Sequence, residues 1–265
     1  MQTTPPPSPW QAGMPYERYV GRWSRLVAPR FLTWLGVPPG QRWLDVGCGT
    51  GALCEAIVTQ CAPASVTGLE PAEGFLSVAR QKLPPDVALV TGSAAAMPLA
   101  DASFDVVVAG LVLNFVPDLG AALAEIQRVA KPGASIGAYV WDYSGKMDLM
   151  RYFWNAAWEL DADVAKLVEA SRFPLCHPDA LIQAMNDAGL QAAEVTAIDI
   201  ATPFADFDDY WQPFLGGTGP APAYATGLAE SAREKLKARL QSQLPIQADG
   251  SIPLEARAWA VRATV

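Results

Sequence analysis

Residues 43–52 read Trp43-Leu44-Asp45-Val46-Gly47-Cys48-Gly49-Thr50-Gly51-Ala52, and this stretch decides the fold. An apolar strand runs into a glycine turn, and the turn opens a helix on which Leu53, Ile57, Val58 and Cys61 recur at helical spacing. Without a Cβ, glycine accepts positive φ and lets a ligand come close to the backbone. The helix N-terminus then points unpaired N–H groups into the same crevice. Taken literally, Gly47, Gly49 and Ala52 also satisfy the GxGxx(G/A) dinucleotide fingerprint. By itself the turn therefore leaves a nicotinamide-dependent oxidoreductase open.

Outward from the turn, short apolar runs alternate with amphipathic segments. Strands are expected at 42–46, 65–70, 87–91 and 104–109, the last almost continuously apolar, as a strand buried on both faces should be. A helix is expected at 72–82, and a second at 118–130 with Leu119, Leu123, Ile126 and Val129 on one side. Lys131-Pro132-Gly133 turns the chain into a fifth strand at 134–141. This alternation predicts an α/β, Rossmann-like, doubly wound sheet that is mostly parallel. After Trp141 the rhythm is lost until a helix from His177-Pro178 to Gly189. Strands at 192–201 and 252–265 then pair as an antiparallel edge, giving about seven in all.

The remaining segments read as additions to that core. Residues 1–15 form a flexible Pro-rich arm. Tyr16, Tyr19, Trp23 and Val27 make a helical stripe, and Pro29 opens a second short helix carrying Phe31 and Leu35. A charged helix spans 225–244. The expectation is one domain over 16–265, with a core of about 36–141, 177–202 and 251–265. Cap segments take up 16–35, 142–176 and 203–250.

Composition narrows the function. The chain is 51% hydrophobic and 17% charged, which excludes a disordered segment. The densest apolar run, 104–116, breaks at Asp105, Gly110 and Asn114, so no membrane span and no membrane partner are expected. The net charge of -8 lacks the positive field that phosphate neutralisation requires, so no nucleic-acid partner is expected. Arg18, Arg22 and Arg25 nevertheless share one helix face, where they could meet a carboxylate. The four cysteines form no CxxC pair and no zinc-like spacing, so they read as reduced thiols with no metal. The polar N-terminal residues 1–9 lack the basic-then-apolar order of a secretory signal, and a cytoplasmic protein is expected.

Two further features face the same crevice. Glu70 closes the second strand, where a carboxylate can accept two ribose hydroxyls, and Gly92-Ser93-Ala94 follows the third. The ordered set LDVGCGTG, GLEP, GSAAAMPLADASFDVVV and RVAKPGA resembles the class I S-adenosylmethionine-dependent methyltransferases. The resemblance is to the small-molecule, quinone-biosynthesis-like group with a "type 11" domain. It covers 16–141 well and the closing strands in outline.

The resemblance implies S-adenosyl-L-methionine as cofactor. Gly47 and Gly49 would flank its methionine portion, Glu70 would hold the ribose diol, and Pro71 would lie beside the adenine. Ser93 and Ala94 would contact the adenine edge, Leu111 would line the methionine end, and Asp45 would orient the turn. Two positions depart from the family pattern: Ser93 stands where Asp is common, and Asn114 where His is common. Candidates for direct catalysis are Asn114, His177 (also readable as a helix start) and Tyr19.

Displacement at a sulfonium releases a neutral thioether, so positioning and water exclusion can supply much of the rate and no triad is needed. The acceptor is expected to be a small apolar or aromatic molecule, walled by cap aromatics such as Trp23, Tyr143, Trp154, Phe204 and Trp211. Residues 1–30 and 203–250 are expected to form a mobile cover. A cofactor-binding protein without turnover, or a protein methyltransferase, are the alternatives.

Overall fold

The computed structural model describes residues 21–161, 163, 164, 167, 173–216 and 219–265. The arm at 1–15, Tyr16, Arg18 and Tyr19 lie outside the described residues. In the sequence region of the decisive turn the order is strand β1 (Arg42–Val46), helix α2 (Ala52–Gln60), β2 (Ser65–Glu70), α3 (Glu73–Lys82) and β3 (Ala88–Thr91). Next come β4 (Phe104–Gly110), α4 (Leu119–Val129) and β5 (Ala130–Trp141). Helix α1 (Arg22–Leu35) precedes them.

The C-terminal part adds α5 (Asp148–Leu160), α6 (Pro178–Asp187), β6 (Gln191–Ala201), α7 (Phe207–Trp211), α8 (Pro220–Gly227), α9 (Glu230–Gln243) and β7 (Glu255–Thr264). The seven strands form one sheet in the order β3-β2-β1-β4-β5-β7-β6. Pairs from β3 through β5 are parallel, and β7 runs antiparallel to both β5 and β6. The α/β, mostly parallel sheet and the antiparallel pairing of the last two strands are as the sequence predicts.

Apolar residues on both sheet faces account for the stability of this layering. Trp43, Val106, Val108 and Tyr139 face one core with α1 and the C-terminal helices, while Leu44, Val107, Ile136 and Val140 face the other with α4 and α6. This alternation is the period of two that a strand imposes. At Gly137 of β5, any Cβ would sit 2.8 Å from Phe31 Cζ, so the missing side chain lets α1 lie close on the sheet.

Several local expectations are corrected. Pro29 does not start a new helix but sits inside α1, where an interior proline costs about 3 kcal/mol. Burial of Val27, Ala28, Phe31, Leu32 and Leu35 on one side outweighs that cost, and Gly36 (φ 67°) ends the helix. Residues 131–133 do not separate α4 from a strand at 134. Strand β5 begins at Ala130, and a register shift between Phe104 and Val106 on β4 absorbs Lys131-Pro132-Gly133 as a bulge. The expected charged helix at 225–244 is two helices, α8 and α9. Helix α5 was legible in the spacing of Leu149, Met150, Phe153, Trp154 and Ala157 but lies within the stretch read as irregular.

Six of the cap aromatics are interior residues. Trp23, Phe153, Phe204, Tyr210, Trp211 and Phe214 are all buried in one core cluster. Phe153 stacks on Phe214 at 4.4 Å, and Trp23 meets Phe204 edge-on at 5.6 Å. Arg22 lies over the Phe204 ring and pairs with Asp209 at 2.8 Å, fastening α1 to the segment after β6. Arg25 is 3.9 Å from Glu55, so both described arginines of that helix face have carboxylates of the chain itself as neighbours. No helix among the described residues is long and apolar enough to cross a membrane.

Candidate functional site

Backbone bonds hold the start and the close of the glycine turn after β1. Gly47 and Cys48 both donate their N–H to Leu69 O, at 2.7 and 3.0 Å, and Gly51 N–H returns to Cys48 O at 2.9 Å. Gly47 (φ 72°) requires glycine on two counts, since a Cβ there would also lie 2.4 Å from Val112 Cγ2. Gly49 (φ 53°) is different: its Cβ direction points into open space. That space belongs to a cavity of about 460 Å³ at the carboxyl ends of β1, β2 and β4, where open α/β sheets bind ligands.

Asp45, Gly47, Gly49, Glu70, Pro71, Ser93, Ala94 and Leu111, singled out from the sequence, all line this one cavity. Glu70 is buried at the end of β2. Its Oε2 accepts the Gly49 N–H at 3.2 Å and its Oε1 accepts the Ala72 N–H at 3.0 Å. A carboxylate has about four lone-pair sites, so each oxygen keeps one for a ligand hydroxyl. Burial pushes the Glu70 carboxyl above the usual carboxylate range, and the N–H groups of Ala72 and Gly49 pull it back.

Asp45 is buried one strand away. Cys54 donates its S–H to Asp45 Oδ2 at 3.2 Å, while Oδ1 has no hydrogen-bond partner. Burial pushes the Asp45 carboxyl up to about 7; the Cys54 contact lowers it and the charge of Glu70 raises it further. On the opposite wall, Leu111 holds φ 62°, a conformation that L residues adopt at a cost. Its N–H bonds to Tyr139 O at 2.7 Å, which holds the chain in that bend after β4. Ser93 Oγ accepts the Ala95 N–H at 3.2 Å and retains its own proton for donation.

The candidates for direct catalysis are placed differently. Neither Asn114 nor His177 is among the residues lining the cavity, and Tyr19 lies outside the described residues. Asn114 donates to Cys176 Sγ at 3.6 Å. His177 is exposed at the start of α6, with Nδ1 3.4 Å from Ser144 Oγ. Among the described residues, no lining residue comes from 142–176 or 203–250. For Trp23, Trp154, Phe204 and Trp211 the expected acceptor wall is therefore corrected: these four fill the space between sheet and cap. One chain of rings does connect to the mouth, where Phe115 meets Phe173 at 4.9 Å and Phe173 meets Tyr143 at 5.5 Å.

Sequence reasoning passed over Ser24, Cys48, Phe75, Phe115 and Tyr139 as lining residues. Cys48 and Phe115 were within reach, because each immediately adjoins a residue that was singled out. Tyr139 was not. Its approach to the cavity depends on Gly110, its β4 register partner, where a Cβ would stand 2.6 Å from the phenol oxygen.

Residues 44–137, which contain this whole turn-and-acid arrangement, match the family model described as a methyltransferase domain. The chain carries a methyltransferase domain. Over 115 residues it is 40% identical to the demethylmenaquinone methyltransferase of Renibacterium salmoninarum, covering 43% of this chain and 46% of that protein. Over 105 residues it is 41% identical to the demethylmenaquinone methyltransferase of Staphylococcus aureus strain Newman, covering 38% and 44%. The chain thus aligns with under half the length of those curated relatives.

Likeness in fold extends further along the chain. The structure superposes on phosphoethanolamine N-methyltransferase 2 of Haemonchus contortus with a TM-score of 0.57 at 16% identity, covering 96% of this chain and 56% of that one. A candidate methyltransferase of Bacillus halodurans C-125 gives 0.59 at 15% identity, covering 89% and 97%. At these identities the likeness concerns the fold. It includes the strands beyond the matched methyltransferase domain.

Proposed function

We propose that the protein transfers a methyl group from S-adenosylmethionine to a small apolar or aromatic acceptor. The observation that carries this reading is the joint placement of Glu70 and the Gly47–Gly49 turn on one cavity within residues 44–137. The residues fit the cofactor on their own chemistry. Glu70 offers two free lone-pair sites to a pair of adjacent hydroxyls, and Gly49 leaves open the volume that a side chain would fill. Asp45, with one oxygen unpartnered, offers a hydrogen-bond acceptor toward an ammonium group.

When bound, the cofactor supplies an electrophilic methyl carbon on a sulfonium whose departure needs no proton. The chain's contribution is then positioning. Glu70 and the turn hold the ribose, Pro71, Ser93 and Ala94 border the adenine, and Leu111 supports the methionine end. Apolar Phe75, Leu111, Val112, Phe115 and Val116 keep water from the reaction path, which strengthens each remaining polar contact.

The cavity walls favour one acceptor chemistry over another. Among the described lining residues there is no Lys or Arg, so a phosphate-bearing amine finds no cation there, whereas an aromatic ring finds Phe115 and the Phe173–Tyr143 chain beyond it. This supports an aromatic acceptor, the demethylmenaquinone type included, ahead of a phosphobase. Incubation with methyl-labelled S-adenosylmethionine and a panel of quinols, phenols and amines tests the reading. Label is expected in an aromatic product. Cofactor binding with no label in any product would instead establish a binding protein without turnover.

A further inference from the structure

Cys48 of the glycine turn and Cys54 of α2 both pack against one rung of the sheet. Asp45 of β1 pairs in register with Gly68 of β2. Cys54 Sγ hangs on Asp45 Oδ2 at 3.2 Å, while Cys48 Sγ packs over Gly68, so closely that a Cβ there would be 2.8 Å away. Register partners project to the same face of a sheet, so the two sulfurs stand over neighbouring positions of that rung, within one core cluster. Cys48 lines the cavity, whereas Cys54 is wholly buried behind it. None of the roles proposed above uses either sulfur.

We propose that Cys48 and Cys54 are a dithiol site that a peroxide entering the cavity oxidises to an intrachain disulfide. In the first step the Cys48 sulfur attacks one peroxide oxygen, the O–O bond breaks, and Cys48 sulfenic acid and water are formed. In the second, the Cys54 sulfur attacks the Cys48 sulfur and the S–O bond breaks. The Cys54 proton passes through Asp45 Oδ2 to the departing hydroxide, giving a second water. The two sulfurs together lose two electrons, and the peroxide gains them.

Position decides which sulfur reacts first and what the bridge does. Only Cys48 meets the cavity, and only Cys54 has a carboxylate to take its proton. Cys48 lies between Gly47 and Gly49 in the turn, and Gly49 N–H anchors Glu70. Drawing the Cys48 sulfur onto Cys54 shifts that turn, so the oxidised protein binds cofactor more weakly. This consequence rests on the cofactor reading above, whereas the disulfide does not.

The experiment is peroxide treatment of the whole protein, blocking of free thiols, and digestion after Arg and Glu. Residues 43–55 then form one peptide holding both cysteines and separate from Cys61. The expected result is that this peptide becomes about 2 Da lighter, escapes alkylation and recovers both thiols on reduction. Full alkylation of Cys48 and Cys54 after peroxide, a Cys54–Cys61 link, or oxygen added to Cys48 without a bridge would each overturn the proposal. Cys54→Ser should leave Cys48 as a sulfenic acid that dimedone traps; absence of that adduct also counts against it. S-adenosylhomocysteine is expected to slow the bridge. A bridge that forms at an unchanged rate with it supports the dithiol and contradicts the cofactor reading.

Discussion

Glu70 Oε2 accepts the backbone N–H of Gly49 at 3.2 Å, so the acid at the end of β2 and the turn at the end of β1 are held as one unit. The same carboxylate that would meet a ribose also sets the shape of the loop beside it. Binding and loop geometry should therefore fail together when that side chain is removed.

Glu70→Ala is expected to weaken S-adenosylmethionine binding by roughly one to two orders of magnitude. It removes two charge-assisted hydrogen bonds of about 1.5–3 kcal/mol each, partly replaced by water. Titration calorimetry reads the change directly, and an unaltered affinity would remove Glu70 from the ribose contact.

The two glycines of the turn should separate stability from binding. Gly47→Ala places a Cβ 2.4 Å from Val112 Cγ2 at φ 72°, so its melting temperature should fall by several degrees. Gly49→Ala enters open space at φ 53°, with a backbone cost of about 1–2 kcal/mol, and should still fold. Gly49→Val should fold but lose cofactor binding, because a branched side chain occupies the cavity. Thermal unfolding with and without S-adenosylhomocysteine checks both, and a ligand-induced shift in Gly49→Val as large as in the native protein would contradict the placement.

How much of this was legible follows from the range of the interactions involved. The turn and Glu70 were readable because their requirements are local: a positive φ, a strand end, a carboxylate at the neighbouring strand's tip. The doubly wound, mostly parallel sheet followed for the same reason, since alternating strands and helices admit few windings. What escaped was long-range. Tyr139 reaches the cavity only through Gly110 on another strand, and the cap aromatics of 203–214 are buried because α1 and α5 happen to lie over them. Pro29 misled in the same way: its local preference for a helix start gave way to packing of residues 27–35 on the sheet.

The Asp45 carboxyl, pushed up from 3.8 to about 7 by burial, makes a prediction about stability. A carboxyl that is harder to ionise in the folded state than in the unfolded one binds its proton more tightly when folded. Its penalty is absent below about pH 4, grows as pH rises, and is complete above about pH 7, reaching about 4 kcal/mol. Asp45→Asn cannot ionise and still accepts the Cys54 S–H. Its unfolding free energy relative to the native protein should therefore rise from pH 4 to pH 8. Denaturant unfolding at both values gives the comparison, and a difference independent of pH would show that Asp45 is already ionised in the fold at pH 4.

The central claim is that the cavity at the ends of β1, β2 and β4 is a cofactor site, and calorimetric titration with S-adenosylhomocysteine tests it most directly. The account predicts saturable binding at one site per chain, with NADH failing to compete. Absence of binding, or displacement by NADH at comparable concentration, would contradict it.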